Sequence, residues 1–104
     1  MRNPVFTSFT LLSGLVLKNR IAKAAMEENL AQEDQTPSQA LKNVYSAWAK
    51  GGTGLIITGN VMVDHLAMTG PGGLVLEQST DITAFAELAR LSKQNNCKVV
   101  MQIN

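Results

Sequence analysis

The chain has 104 residues, a formal net charge of +1, and 45% hydrophobic and 16% charged residues, enough for one small domain with a core. That balance excludes disorder and leaves no basic footprint for nucleic acid or an anionic membrane surface. No apolar run approaches the roughly 20 residues of a membrane span, and the opening "MRNPVFTSFT" lacks the apolar core of a secretory signal, so a cytoplasmic location is expected.

In chain order, "FTLL" and "LVLKNR" read as two short extended runs joined by Ser13-Gly14, a hairpin signal. "IAKAAM" is short and apolar except for Lys23, which predicts a strand, and the acidic stretch 27–36 predicts a loop. Thr36-Pro37-Ser38-Gln39 offers an N-cap threonine, proline at the first helical position and glutamine at the third. Leu41, Val44, Tyr45 and Trp48 then recur at the spacing of one helix face, and Gly51-Gly52 stops it. "GLIITGNVMV" is an almost continuous apolar run, the mark of a strand covered on both sides. A glycine-rich loop spans 64–73, a second helix runs from about Ile82 to Gln94, and "KVVMQI" predicts a third buried strand. The single cysteine, Cys97, excludes an internal disulfide and a cysteine-based zinc cage, and its ordinary role is a small buried residue. No metal ligand set is assigned.

The order is hairpin, strand, helix, strand, helix, strand, which means α/β units and a parallel sheet. Three strands make a poor complete α/β domain because the outer ones are exposed edges. The chain therefore reads as the front of something larger. In such folds chemistry collects at the carboxyl ends of the strands. Those ends carry Ala24, Ala25, Met26 and Glu27, then Thr58, Gly59 and Asn60, then Gln102 to Asn104. Small residues there let a flat ligand approach the backbone. The Gln102 amide can donate and accept, which suits a heterocycle edge, although a satisfied core glutamine fits the spacing equally well. Neither "GPGG" nor "GGTG" sits in the strand-to-helix context of a phosphate-binding loop. His65, the one histidine, lacks a catalytic partner in the sequence pattern.

Three stretches carry a resemblance. "LKNRIAKAAM", "GGTGLIITGNVMVD" and "VVMQIN" resemble the N-terminal third of the old yellow enzyme family, the FMN-dependent NAD(P)H:flavin oxidoreductases, closest to the branch that includes relatives of 2,4-dienoyl-CoA reductase. The resemblance implies the N-terminal part of a TIM (β/α)8 barrel, incomplete as it stands, with residues 1–104 forming a portion of a single flavin-binding domain behind a bottom hairpin at Leu11–Lys18. A complete barrel takes about 250 residues. Residue by residue, it implies that Ala24, Ala25 and Met26 meet the flavin near N5 and O4, and that Gly59 and Asn60 lie toward its pyrimidine end, with Asn60 contributing through its backbone. Gln102 falls on the glutamine that holds the pyrimidine edge. Glu27 stands where the family commonly has threonine or cysteine, and an ionised carboxylate there would disfavour the anionic reduced flavin unless protonated, turned away or shielded.

The implied cofactors are FMN and NAD(P)H as reductant, and the implied partner is a small-molecule alkene, an enone or dienoyl thioester. A homo-oligomer is allowed, and neither nucleic acid nor membrane is expected. No catalytic residue is assignable, and neither His65 nor Tyr45 takes that role. The segment alone is expected to be inactive and to bind FMN weakly or not at all, since no phosphate anchor is present. Two other readings stay open: a non-catalytic module that pairs its open sheet edges with another chain, and a different TIM-barrel enzyme acting on phosphorylated substrates.

Overall fold

The structure, a computed structural model, describes residues 3–104; Met1 and Arg2 of the N-terminal stretch lie outside the described residues. The expected hairpin is present and begins earlier than Leu11. β1 (Phe9–Thr10) pairs antiparallel with β2 (Val16–Leu17), Phe9 opposite Leu17 and Thr10 opposite Val16. Its turn closes through the Leu11 N–H donating to the Leu15 carbonyl at 2.8 Å, with Gly14 at a φ of +91°, a left-handed value that glycine adopts without strain.

The strand expected over "IAKAAM" is shorter. Only β3 (Ala22–Lys23) joins the sheet, parallel to β4 (Leu55–Met62), with Ala22 opposite Leu55 and Lys23 opposite Ile56. A short strand that the sequence reading does not contain, β5 (Leu74–Val75), takes the other end of the same β4 edge, opposite Val61 and Met62. The free edge of β4 pairs with β6 (Lys98–Ile103), again parallel.

The first helix, α1 (Gln39–Lys50), starts later than expected. Its N-cap is Ser38, whose hydroxyl accepts the Leu41 N–H at 3.1 Å, and not Thr36. Thr36 is committed to the preceding loop. Its hydroxyl donates to Asp34 at 2.6 Å and its carbonyl accepts the Gln32 N–H at 2.9 Å, so it is not available to cap. The second helix, α2 (Thr83–Ser92), is also shorter than expected and is followed by a 3-10 turn over Gln94–Asn96. Asn95 and Asn96 there adopt φ values of 54° and 55°, a conformation asparagine tolerates better than most side chains.

The two helices pack on each other and share one core. Leu41, Tyr45 and Ala49 of α1 and Phe85 and Leu88 of α2 close over Ile56 and Val61 of β4, with Leu74 and Cys97 at the margins. Burial pushes the Cys97 thiol up, with Lys18 opposing, as befits a structural cysteine. The strand β6 departs from its expected burial. Val99 packs on the core, but Val100, Met101 and Ile103 are 44%, 38% and 60% exposed, because β6 pairs only with β4 among the described residues. No helix among the described residues is long and apolar enough to cross a membrane.

Strands β3, β4 and β6 thus lie side by side in chain order, all parallel, with the intervening helices sharing one core. A doubly wound sheet reverses strand order and places helices on both faces; sequential order with helices on one face is how a barrel begins.

Candidate functional site

The carboxyl ends of β3, β4 and β6 meet in a chain of polar side chains. The Gln102 amide nitrogen donates to Asn60 Oδ1. Asn60 Nδ2 in turn donates to Glu27 Oε1 at 2.9 Å, and the same carboxylate oxygen accepts the Thr69 hydroxyl at 3.0 Å. Three of the residues singled out from the sequence, Glu27, Asn60 and Gln102, are therefore joined across three strand ends. Thr69 was not anticipated, since nothing in the glycine-rich loop distinguishes it.

The other candidates surround this chain. Ala24 is exposed, Ala25 half-buried and Met26 51% exposed on the segment that leaves β3. Gly59 is buried where that segment crosses β4. A Cβ on Gly59 would lie 2.3 Å from the Met26 carbonyl oxygen and 2.5 Å from a Glu28 carboxylate oxygen, so only glycine permits the crossing.

Beneath the crossing lies a second cluster. Tyr45 is fully buried; its hydroxyl donates to Glu28 Oε1 at 2.6 Å and accepts the Gly59 N–H at 3.3 Å. Burial, then the bond to the Glu28 carboxylate, pushes the Tyr45 phenol far above its ordinary range, so it stays protonated. Lys23 reaches the same cluster. Its Nζ is buried without a hydrogen-bond partner, 4.8 Å from the Trp48 ring centre and 5.6 Å from that of Tyr45. Desolvation lowers the Lys23 pKa, and Glu28 partly offsets this.

His65 sits at the same end of the sheet, apart from the chain. Its ring Nδ1 is 2.9 Å from Glu77 Oε1, its backbone N–H donates to Glu77 Oε2 at 3.0 Å, and Asp64 Oδ1 lies 3.8 Å from Nδ1. The ligand atoms of these three residues fall within 4.8 Å of one another, close enough to share a cation, but the Glu77 carboxylate already occupies the ring nitrogen.

Parallel strands in sequential order with a polar chain across their carboxyl ends define a segment of a barrel that carries its site at that end. The chain belongs to the NADH:flavin oxidoreductase / NADH oxidase family, whose model matches residues 4–104. It is 33% identical over 99 residues to the NADH-dependent flavin oxidoreductase iliE of Hypocrea jecorina (strain QM6a), covering 91% of this chain and 25% of that protein. It is 39% identical over 99 residues to an NADH oxidase of Thermoanaerobacter brockii, covering 89% of this chain and 14% of that one. The chain therefore spans a quarter or less of these two relatives. Among solved structures, the old yellow enzyme homologue of Zymomonas mobilis superposes with a TM-score of 0.84 at 18% identity, over 97% of this chain and 28% of that one. That likeness establishes the fold: the N-terminal part of a TIM barrel, not closed within this chain.

Proposed function

We propose that this chain forms one wall of an FMN site in an enzyme that takes hydride from a nicotinamide cofactor and reduces activated alkenes, enones or dienoyl thioesters. The observation that carries the reading is the Gln102–Asn60–Glu27 chain. Gln102 spends one N–H on Asn60 and keeps its carbonyl and second N–H, the mixed pair that a pyrimidine edge requires. Met26 and the small side chains of Ala24 and Ala25 leave room for the ring's other edge, and Gly59 holds the backbone crossing below them. These residues fit the flavin ring; a phosphate anchor is not among the described residues.

FMN, when bound, supplies the hydride relay between nicotinamide and substrate. The chain's own residues bind and orient. The Glu27 carboxylate accepts from two donors, Asn60 and Thr69, which would soften its repulsion of negative charge on a ring held there. The word NADH in the relatives' names favours NADH over NADPH as reductant. A cytoplasmic enzyme agrees with the free, buried Cys97.

Titration of FMN fluorescence against the full-length protein tests the reading. The wild type quenches FMN saturably, and Gln102→Leu, which keeps the side-chain volume and removes both amide functions, weakens binding about tenfold, as the loss of one or two hydrogen bonds to a ligand does. Equal affinity in the two proteins refutes the role of Gln102. The open edge of β6 supports a second reading, a module that assembles with another chain through that edge.

A further inference from the structure

The polar chain exists because β4 carries one extra residue. From Ile57 opposite Val100 the register passes to Asn60 opposite Gln102, so Thr58 and Gly59 together face Met101 alone. This is a β-bulge, and it reverses the facing of everything beyond it. Ile56 packs on the helices, and Thr58 is buried. Regular alternation would next turn Asn60 toward the helices and take Val61 out of the core. The extra residue instead returns Val61 to the core and sets Asn60 beside Gln102.

A bulge breaks the backbone ladder, and two hydroxyls repair this one. The Gln102 N–H donates to Thr58 Oγ1 at 3.0 Å, and that hydroxyl donates to the Gly59 carbonyl at 2.8 Å. The Gly59 N–H is taken by the buried Tyr45 hydroxyl, which is itself held by Glu28 at 2.6 Å. Glu28 belongs to the segment that crosses over Gly59. One tyrosine from α1 thereby fastens the β4 bulge to the residues that follow β3.

We propose that Tyr45 and Thr58 are positioning residues of the flavin site, fixing the bulge that sets Asn60 and Gln102 side by side at the pyrimidine edge of the ring. The flavin part of this inference rests on the function proposed above, while the clamp itself does not. Tyr45→Phe keeps the ring in the core and removes only the hydroxyl. Thr58→Val is its counterpart on the strand and serves as well should the tyrosine variant fail to fold. Asp81→Ala, which removes the acceptor of the Thr83 N–H and hydroxyl at the start of α2, is the control for general loss of stability.

The experiment has two readouts on the full-length protein: the side-chain amide resonances of Asn60 and Gln102 without FMN, and the dissociation constant for FMN. Tyr45→Phe and Thr58→Val are expected to move both pairs of amide resonances toward solvent-exposed positions and to weaken FMN binding about tenfold. Asp81→Ala is expected to lower the melting temperature and change neither readout. Unchanged amide resonances in both hydroxyl variants overturn the clamp. Moved resonances with unchanged FMN affinity leave the clamp standing and overturn the flavin reading of the site. Equal effects from Asp81→Ala overturn a positioning role, because general stability then accounts for both readouts.

Discussion

Gly59 holds the crossing of the segment after β3 over β4, and Lys23 carries a desolvated ammonium in the cluster below that crossing. Gly59→Ala puts a Cβ 2.3 Å from the Met26 carbonyl, and backbone cannot yield as a flexible side chain does. A loss of about 1–3 kcal/mol follows, the ordinary cost of overpacking. Urea unfolding at constant m measures it, and an unchanged midpoint contradicts the crossing. Lys23 gives a pH signature. Its folded pKa lies below the ordinary 10.5 because its ammonium is desolvated, so the unfolded chain holds this proton more tightly than the folded one. The penalty is complete below the folded pKa and is relieved as pH rises toward 10.5. Wild type therefore gains stability relative to Lys23→Met as pH rises through that window. Tyr45, raised above its ordinary 10.0, costs stability at higher pH, but it is common to both proteins and cancels in the difference. A gap that widens against wild type on raising pH contradicts the buried ammonium.

At the scale of elements, helix starts and strand registers show where the sequence is readable. "TPSQ" contains two residues able to cap, and spacing alone selects the threonine. The loop decides otherwise, because Asp34 and Gln32 engage Thr36. Ser38→Ala should cost about 1 kcal/mol and speed hydrogen exchange at the Leu41 amide. Thr36→Ala should leave that amide's protection unchanged; the opposite pattern restores Thr36 as the cap. Strand β5 is two residues long and too short to carry a period. The bulge is invisible because "LIITGNVM" has apolar residues at both odd and even positions, so no strict alternation exists for an extra residue to break. Gln102 was legible for the opposite reason, a polar residue inside an apolar run. Tyr45 lies on the core face of α1 that its spacing predicts, but its hydroxyl acquires its purpose only from Glu28 and Gly59, which lie outside that helix.

At the scale of the whole molecule, strand and helix alternation was enough to predict a parallel sheet, and the resemblance pointed to the barrel. What failed was the burial of β6. An apolar run is buried only when something lies on each side, and among the described residues β6 has α2 on one face and β4 on one edge. Val100, Met101 and Ile103 are left exposed beside unpaired backbone groups, a surface prone to edge-to-edge pairing. The 104-residue segment expressed alone should sediment as a concentration-dependent associating species, and Val100→Lys should suppress this. A clean monomer at high concentration contradicts it.

On the proposed function, the strand ends joined by Gln102, Asn60 and Glu27 face a flavin. The most direct measurement is the visible absorption of the full-length protein before and after anaerobic addition of NADH. The expected result is a bound-flavin band that bleaches with NADH and returns on adding an activated alkene, together with loss of the bound flavin in Gln102→Leu. A full-length protein that is colourless, takes up no FMN on titration and leaves NADH unoxidised contradicts it.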